Sequence, residues 1–247
     1  MRALVLSDIH ANATALQAVL ADADARRLAP DELWCLGDVV GYGPDPNECV
    51  EILQKTPHLC LAGNHDWAVL GKLDVETFND SAMTAILWTR ERLTAANLRY
   101  LDERVGRSEQ NGALLVHGSP RHEIWEYVAD SDTAAENFAA ISHAVCLVGH
   151  THVPMLYVED PRTRIVRAVH AEHDVPLTLK RTHRYIINPG SVGQPRDGDP
   201  RAAYALYDTD AAQWTQYRVH YDVHTTQQRM RAAGLPPKLA LRLEYGR

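Results

Sequence analysis

The sequence predicts an α/β fold whose first half alternates strand and helix and whose second half is mostly strand. Three observations point there. Short continuous apolar runs at Ala3 to Leu6, Leu33 to Leu36, Leu59 to Ala62, Ala113 to Val116 and Val145 to Val148 read as strands buried on both faces. Segments of helical character separate most of these runs. Beyond Pro154 the apolar segments lose their helical spacing and are divided by turn residues. At 247 residues the chain fits one large α/β domain or two small ones, and 45 % hydrophobic residues suffice for a sizeable core.

The elements follow in order. After the first strand, Leu16, Val19, Leu20 and Ala23 recur at helical spacing. The second strand ends in Gly37-Asp38. Asp45-Pro46-Asn47-Glu48 then starts a helix, with Asp45 as the N-cap, Pro46 at the first helical position and Glu48 at capping-box spacing. The third strand ends in Gly63-Asn64-His65-Asp66. Ala82 to Tyr100 reads as helix with a break near Thr94. The fourth strand ends in His117-Gly118, and a helix over Asp132 to Ile141 precedes the fifth. Strands are expected at Met155–Glu159, Thr163–Val169, Val175–Leu179, Arg184–Asn188, Ala202–Tyr207 and Gln213–His220. Val223 to Leu243 reads as helical with a break at Pro236-Pro237. The expected organisation is a domain over residues 1–220 and a helical extension over 221–247 packed on it.

Composition narrows the function. The net charge of −7 gives no bulk attraction to nucleic acid or to an anionic membrane. No apolar stretch reaches the ~18–20 residues of a membrane span. The apolar N-terminal run leads straight into Asp8 and His10, with no small-residue cleavage site. The four cysteines, Cys35, Cys49, Cys60 and Cys146, form no C-x-x-C pair and read as reduced core residues of a cytoplasmic protein. A homo-oligomer is allowed, with the mostly β second half as a surface for association.

The five early strands end alike. Each apolar run stops at residues of metal-ligand type: Asp8 and His10, Asp38, Asn64, His117, and then His150 and His152. In open α/β sheets the carboxyl ends of strands gather ligands and catalytic groups. His150 and His152, one residue apart, share a face of an extended segment. Taken singly, each residue has an ordinary structural reading as a cap, a turn residue or a satisfied core histidine. Gathered in one cleft without partners, they would be costly to bury, and metal ions would resolve that cost.

The ordered blocks Asp8-Ile9-His10, Gly37-Asp38, Gly63-Asn64-His65-Asp66, His117-Gly118 and Gly149-His150-Thr151-His152 resemble the calcineurin-like metallophosphoesterase superfamily. The runs GDVVGYGPDPNE (residues 37–48) and NPGSVGQPRD (residues 188–197) resemble its bacterial and archaeal group of small phosphodiesterase-like proteins. The resemblance covers about Met1 to Arg196. It implies two stacked β-sheets flanked by helices, with a dinuclear centre at the strand ends. By the same resemblance, Asp8, His10 and His152 would hold one ion, Asn64, His117 and His150 the other, and Asp38 would bridge them. The mixed oxygen and nitrogen donor set suits Mn, Fe, Zn or Ni, with Mg also allowed. The implied reaction is attack of a metal-bridging hydroxide on a phosphoester, a small molecule or nucleotide, most readily a diester. Phosphomonoesterase, symmetrical diadenosine tetraphosphatase and metal-binding interaction scaffold are the alternative readings.

Further roles are expected, the first from the same resemblance and the others chiefly from the residues themselves. His65 is the candidate acid or transition-state donor, with Asp66 either holding its ring or capping the next helix. Asn12 either caps the first helix or touches substrate. The family's usual glycine before it is Ala11 here. Ser191, in the turn Asn188-Pro189-Gly190-Ser191, and Arg196 are candidate substrate contacts. Tyr42 and Arg121 are weaker ones, and Trp67 is expected to wall the cleft.

Overall fold

Twelve strands form two six-stranded sheets in the computed structural model, which describes residues 1–247. The elements of the first half are β1 (Arg2–Leu6), α1 (Ala13–Ala25), β2 (Glu32–Cys35), α2 (Pro46–Gln54), β3 (His58–Cys60), α3 (Asn64–Val69), α4 (Asp80–Arg90), α5 (Ala95–Asp102), β4 (Arg107–Gln110), β5 (Ala113–Val116), α6 (Ser131–Ala139) and β6 (Val145–Leu147). Then come β7 (Met155–Glu159), β8 (Val166–Val169), β9 (Leu177–Thr178), β10 (Arg184–Asn188), β11 (Ala202–Asp208), β12 (Gln213–Val219), α7 (Val223–Ala232) and α8 (Pro237–Tyr245). The first sheet has the order β3-β2-β1-β11-β12-β9, and the second β4-β5-β6-β10-β7-β8.

The unbroken apolar runs follow from this stacking. Successive strand residues point to opposite faces. In β1, Ala3 and Val5 enter the core between the sheets, while Leu4 and Leu6 face the helices. Trp34 and Leu36 repeat the inward choice, and Leu33 and Cys35 the outward one. In the second sheet Leu115, Leu147 and Ile187 point inward, and Leu114, Cys146 and Ile186 join Phe138 of α6 outside. Both faces are covered, so neither tolerates polar alternation.

β1, β2 and β3 run parallel, as do β5, β6 and β10. Bonds tie the strand ends of the two sheets together. His117 Nδ1 lies 2.8 Å from the Leu36 carbonyl, and the His150 amide donates to Asp8 Oδ2 at 3.1 Å. Thus the five carboxyl ends named by the sequence meet at one seam.

Some expectations change. Thr94 does break the long helix, as the N-cap of α5, its side chain accepting from the Asn97 amide. Asp45 stands at the N-cap of α2 but makes no cap bond there. Its carboxylate instead accepts from the Ala13 amide and pairs with Arg229 of α7. β4 was not expected, because Arg107–Gln110 is a polar edge strand without apolar signature. The C-terminal helices pack beside the strand-end seam. Met230, Leu235, Leu239 and Leu243 share a cluster with Tyr42, Ala82 and Ala85. No helix is long and apolar enough to cross a membrane.

Candidate metal centre

The side chains at the seam form two groups that share one residue. Asp8, His10, Asp38 and His152 place possible donor atoms within 4.8 Å of one another, and so do Asp38, His117 and His150. All six residues are buried. Asn64, the first residue of α3, brings Oδ1 to 3.2 Å from His117 Nε2 and so joins the second group. Asp38 Oδ2 lies 3.5 Å from His10 Nε2 and 3.4 Å from His117 Nε2, between the groups.

The rings are aimed by the backbone. His10 Nδ1 faces the Val40 carbonyl at 3.3 Å, and His152 Nδ1 faces the Gln194 carbonyl at 2.6 Å. With each Nδ1 engaged, Nε2 points to the centre, the arrangement typical of ligating histidines. The backbone itself is held in an unusual state. Asp8, His10, Asp38, His150 and His152 all have φ between +48° and +66°. Each such residue costs of the order of 1–3 kcal/mol and persists only where its surroundings over-determine it. Gly63 permits a close approach at the site, because a methyl group there would overlap Asp38 Oδ1.

Donor chemistry fits divalent ions. Asp8 Oδ1, Asp38 Oδ2 and His150 Nε2 are buried and have no hydrogen-bond partner. Such atoms are rare in folded proteins and call for a ligand. The electrostatics agree. Burial opposes the charge on Asp38, but the surrounding imidazoles, His117 first, hold its carboxyl well below the usual range. Burial likewise pushes His150 down to about 3 and His10 well below its usual value, leaving both neutral, the form that binds metal. His117 is the exception. Burial would lower it, yet the Asp38 carboxylate outweighs that and raises it to about 9.

A cleft of about 150 Å³ opens over this floor, lined among others by Asp38, Asn64, His65, Tyr42, Trp125 and Arg196. His65 packs 4.3 Å from the Tyr42 ring and 5.2 Å edge-on to Phe78, between centroids, and its Nδ1 has no partner. Burial lowers its pKa to about 4. Asp66 does not hold His65. Its carboxylate accepts the amides of Gly63, Val39 and Val40, which caps α3 and ties down the loop after β2. Burial, with Asp38 nearby, nevertheless pushes Asp66 up to about 7.

The other expected contacts divide. Arg196 and Tyr42 line the cleft, 3.5 Å apart between Nη2 and the hydroxyl. Asn12 caps α1 through the Ala15 amide and donates to the Gly193 carbonyl, so its polar atoms are spent on the frame. Ser191 donates to the Asp8 carbonyl and accepts from the Gln194 amide, beneath the cleft and not in it. Arg121 pairs with Glu126 and Glu136 away from the site. Trp67 does not line the cleft. That wall is Trp125, tilted against Phe78, with Tyr127 lying flat on His150 at 4.1 Å between ring centroids. Trp125 and Tyr127 sit in the loop between β5 and α6, where no periodicity marks them.

Known proteins place the chain. It is 38 % identical over 249 residues to an uncharacterized protein of Methanocaldococcus jannaschii, covering 98 % of this chain and 97 % of that one. A metallophosphoesterase from Sphaerobacter thermophilus is 47 % identical, with a TM-score of 0.89 over 100 % of this chain and 99 % of the other. A hypothetical protein from Pyrococcus horikoshii shares the fold at 20 % identity, with a TM-score of 0.81 over 100 % and 98 % of the two chains. The family model described as the calcineurin-like phosphoesterase superfamily domain matches residues 1–212. With the strand-end cluster described above, these matches establish that the chain belongs to the calcineurin-like phosphoesterase superfamily.

Proposed function

We propose that the protein is a metal-dependent phosphodiesterase with a dinuclear centre. The observation that carries this reading is the convergence of unpartnered, buried Asp8, Asp38 and His150 atoms beneath a cleft that also presents Arg196. Asp8, His10 and His152 would hold one ion and Asn64, His117 and His150 the other, with Asp38 common to both. When bound, such ions activate water for attack on phosphorus and offset negative charge on the phosphoryl group. Mn, Fe, Zn or Ni suits the donor set, as in the expectation above.

The chain's own residues supply the rest. Arg196 bonds a phosphoryl oxygen through its guanidinium. His65 stands at the cleft wall with a free ring nitrogen. Because burial keeps it neutral, it serves as a hydrogen-bond donor to the leaving oxygen and not as a standing imidazolium. Trp125 and Phe78 shield the reacting group from water. The choice of diester over monoester rests on the resemblance of residues 37–48 and 188–197 to the phosphodiesterase-like group.

The test is hydrolysis of bis-p-nitrophenyl phosphate against p-nitrophenyl phosphate. Metal-stripped protein is restored with Mn²⁺, Ni²⁺, Zn²⁺ or Mg²⁺, and Asn64→Ala and His117→Ala serve as controls. Metal-dependent turnover of the diester, lost in both variants, is expected. Faster turnover of the monoester would make the protein a phosphomonoesterase. Two bound ions without turnover of either ester would overturn the generic esterase.

A further inference from the structure

A second groove, of about 590 Å³, runs from the cleft mouth toward the C-terminal helix. It shares Tyr42, Tyr127 and Arg196 with the cleft and adds Lys238 and Arg242 from α8. Lys238 and Arg242 are four residues apart and so occupy one face of α8, while Leu239 and Leu243 anchor the helix in the core beside Tyr42. This part of the chain lies beyond residue 212, where the family match ends.

The charges in this groove are unbalanced. Arg196 Nη2 donates to Gln194 Oε1 at 2.9 Å and approaches the Tyr42 hydroxyl, both neutral partners, and its buried Nε has no acceptor. Arg242 Nε donates to the main-chain oxygen of Arg247, and its two Nη groups have no protein acceptor. Burial and the neighbouring Arg196 cation both disfavour charge on Arg242. Asp80, the groove's acidic side chain, pairs with neither arginine. Two guanidiniums lining one groove, with Arg196 Nε and both Arg242 Nη groups lacking a protein acceptor, suit a phosphate electrostatically.

We propose that Arg196 and Arg242 form a subsite for a second phosphoryl group, so that the preferred substrates are phosphodiesters carrying a further phosphate. This rests on the phosphodiesterase reading above. The scissile ester would lie over the strand-end seam, and the second phosphate would sit against Arg242 with Lys238 at the mouth, Arg196 standing between the two phosphates where cleft and groove join. The C-terminal helix would then act as a specificity element for a core that is shared across the family.

Two measurements on the full chain test this. The first is titration of metal-free protein with inorganic pyrophosphate by calorimetry, in the wild type, Arg242→Gln and Arg242→Lys. About tenfold weaker binding in Arg242→Gln, largely restored in Arg242→Lys, is expected; equal affinity in all three overturns the subsite. The second compares p-nitrophenyl thymidine 5′-phosphate with the same ester bearing a 3′-phosphate, using the metal-restored enzyme. The ratio of kcat/KM should favour the 3′-phosphorylated ester about tenfold in the wild type and fall toward one in Arg242→Gln. A ratio that Arg242→Gln leaves unmoved contradicts the proposal. If the wild type hydrolyses neither ester with any metal, the phosphodiesterase reading fails, and the pyrophosphate titration still decides the subsite. A thermal melt of Arg242→Gln, with Lys238→Gln as an exposed second variant expected to weaken pyrophosphate less, separates charge loss from misfolding.

Discussion

Asp38 divides its carboxylate between structure and chemistry: Oδ1 accepts the His65 amide at 2.8 Å, while Oδ2 faces His117 Nε2 at 3.4 Å. The other nitrogen of His117 faces the Leu36 carbonyl at 2.8 Å. Both ring nitrogens therefore face oxygen atoms, Nε2 also lying 3.2 Å from Asn64 Oδ1, and this setting favours the doubly protonated ring in the metal-free protein. This agrees with a pKa raised to about 9, where the Asp38 carboxylate outweighs burial.

A ligand histidine must be neutral, so metal uptake displaces that proton. At pH 7.5 manganese binding should release about one proton from His117. Calorimetry in PIPES and in Tris would show it as a difference of about one buffer ionisation enthalpy. Equal apparent enthalpies would contradict the pairing. The sign for stability follows from the same shift. His117 is raised from 6.5 to about 9, so its contribution is full below pH 6.5 and lost as pH rises through 9. Metal-free protein should melt at lower temperature at pH 9.5 than at pH 6.5.

His65 and Asp66 should fail in different ways. His65→Ala removes a donor at the cleft wall and should lower kcat by roughly 10²–10⁴-fold with metal content unchanged. Asp66→Ala strips the acceptor from three buried amides and should lower stability by about 1–3 kcal/mol. If Asp66 worked by orienting His65, the double variant would be no slower than His65→Ala and the stability loss would be small. Denaturant melts beside single-turnover rates distinguish the two.

Asp45 and Arg229 couple α7 to the rest of the fold. Asp45 is fully buried, and burial pushes its pKa up to about 6 although Arg229 pulls it down. A raised carboxyl pKa means that stability falls as pH rises from the unfolded value of 3.8 to the folded one, and is level above it. Arg229→Ala removes the lowering influence, so the fall continues above pH 6. The stability gap between wild type and Arg229→Ala should therefore widen from pH 5 to pH 8. The Arg229 side chain is 43 % exposed, so solvent screening keeps the gap near 1 kcal/mol. A gap that narrows toward pH 8 would contradict the coupling.

Residues that end strands were legible because a continuous apolar run halted by a ligand-type residue is a local signal. His117 follows such a run directly, and Asp8, Asp38, Asn64 and His150 each come one small residue after one. Trp125, Tyr127 and Arg242 were not legible, because their places depend on loop paths and on where α8 docks. Asp45 misled for a related reason. Its spacing from Glu48 matches a capping box, but a buried amide and Arg229 from distant segments compete for the same carboxylate. Asp66 lies beside His65 in sequence, yet the start of α3 turns it toward the amides of the β2 loop. Local pattern states which residue types are present. It does not state which of several partners wins a buried carboxylate.

The most direct measurement is the anomalous difference map of crystals loaded with manganese. Two peaks are expected, one touched by Asp8, His10 and His152, the other by Asn64, His117 and His150, with Asp38 reaching both. A single peak, or ions bound away from the strand-end seam, would contradict it.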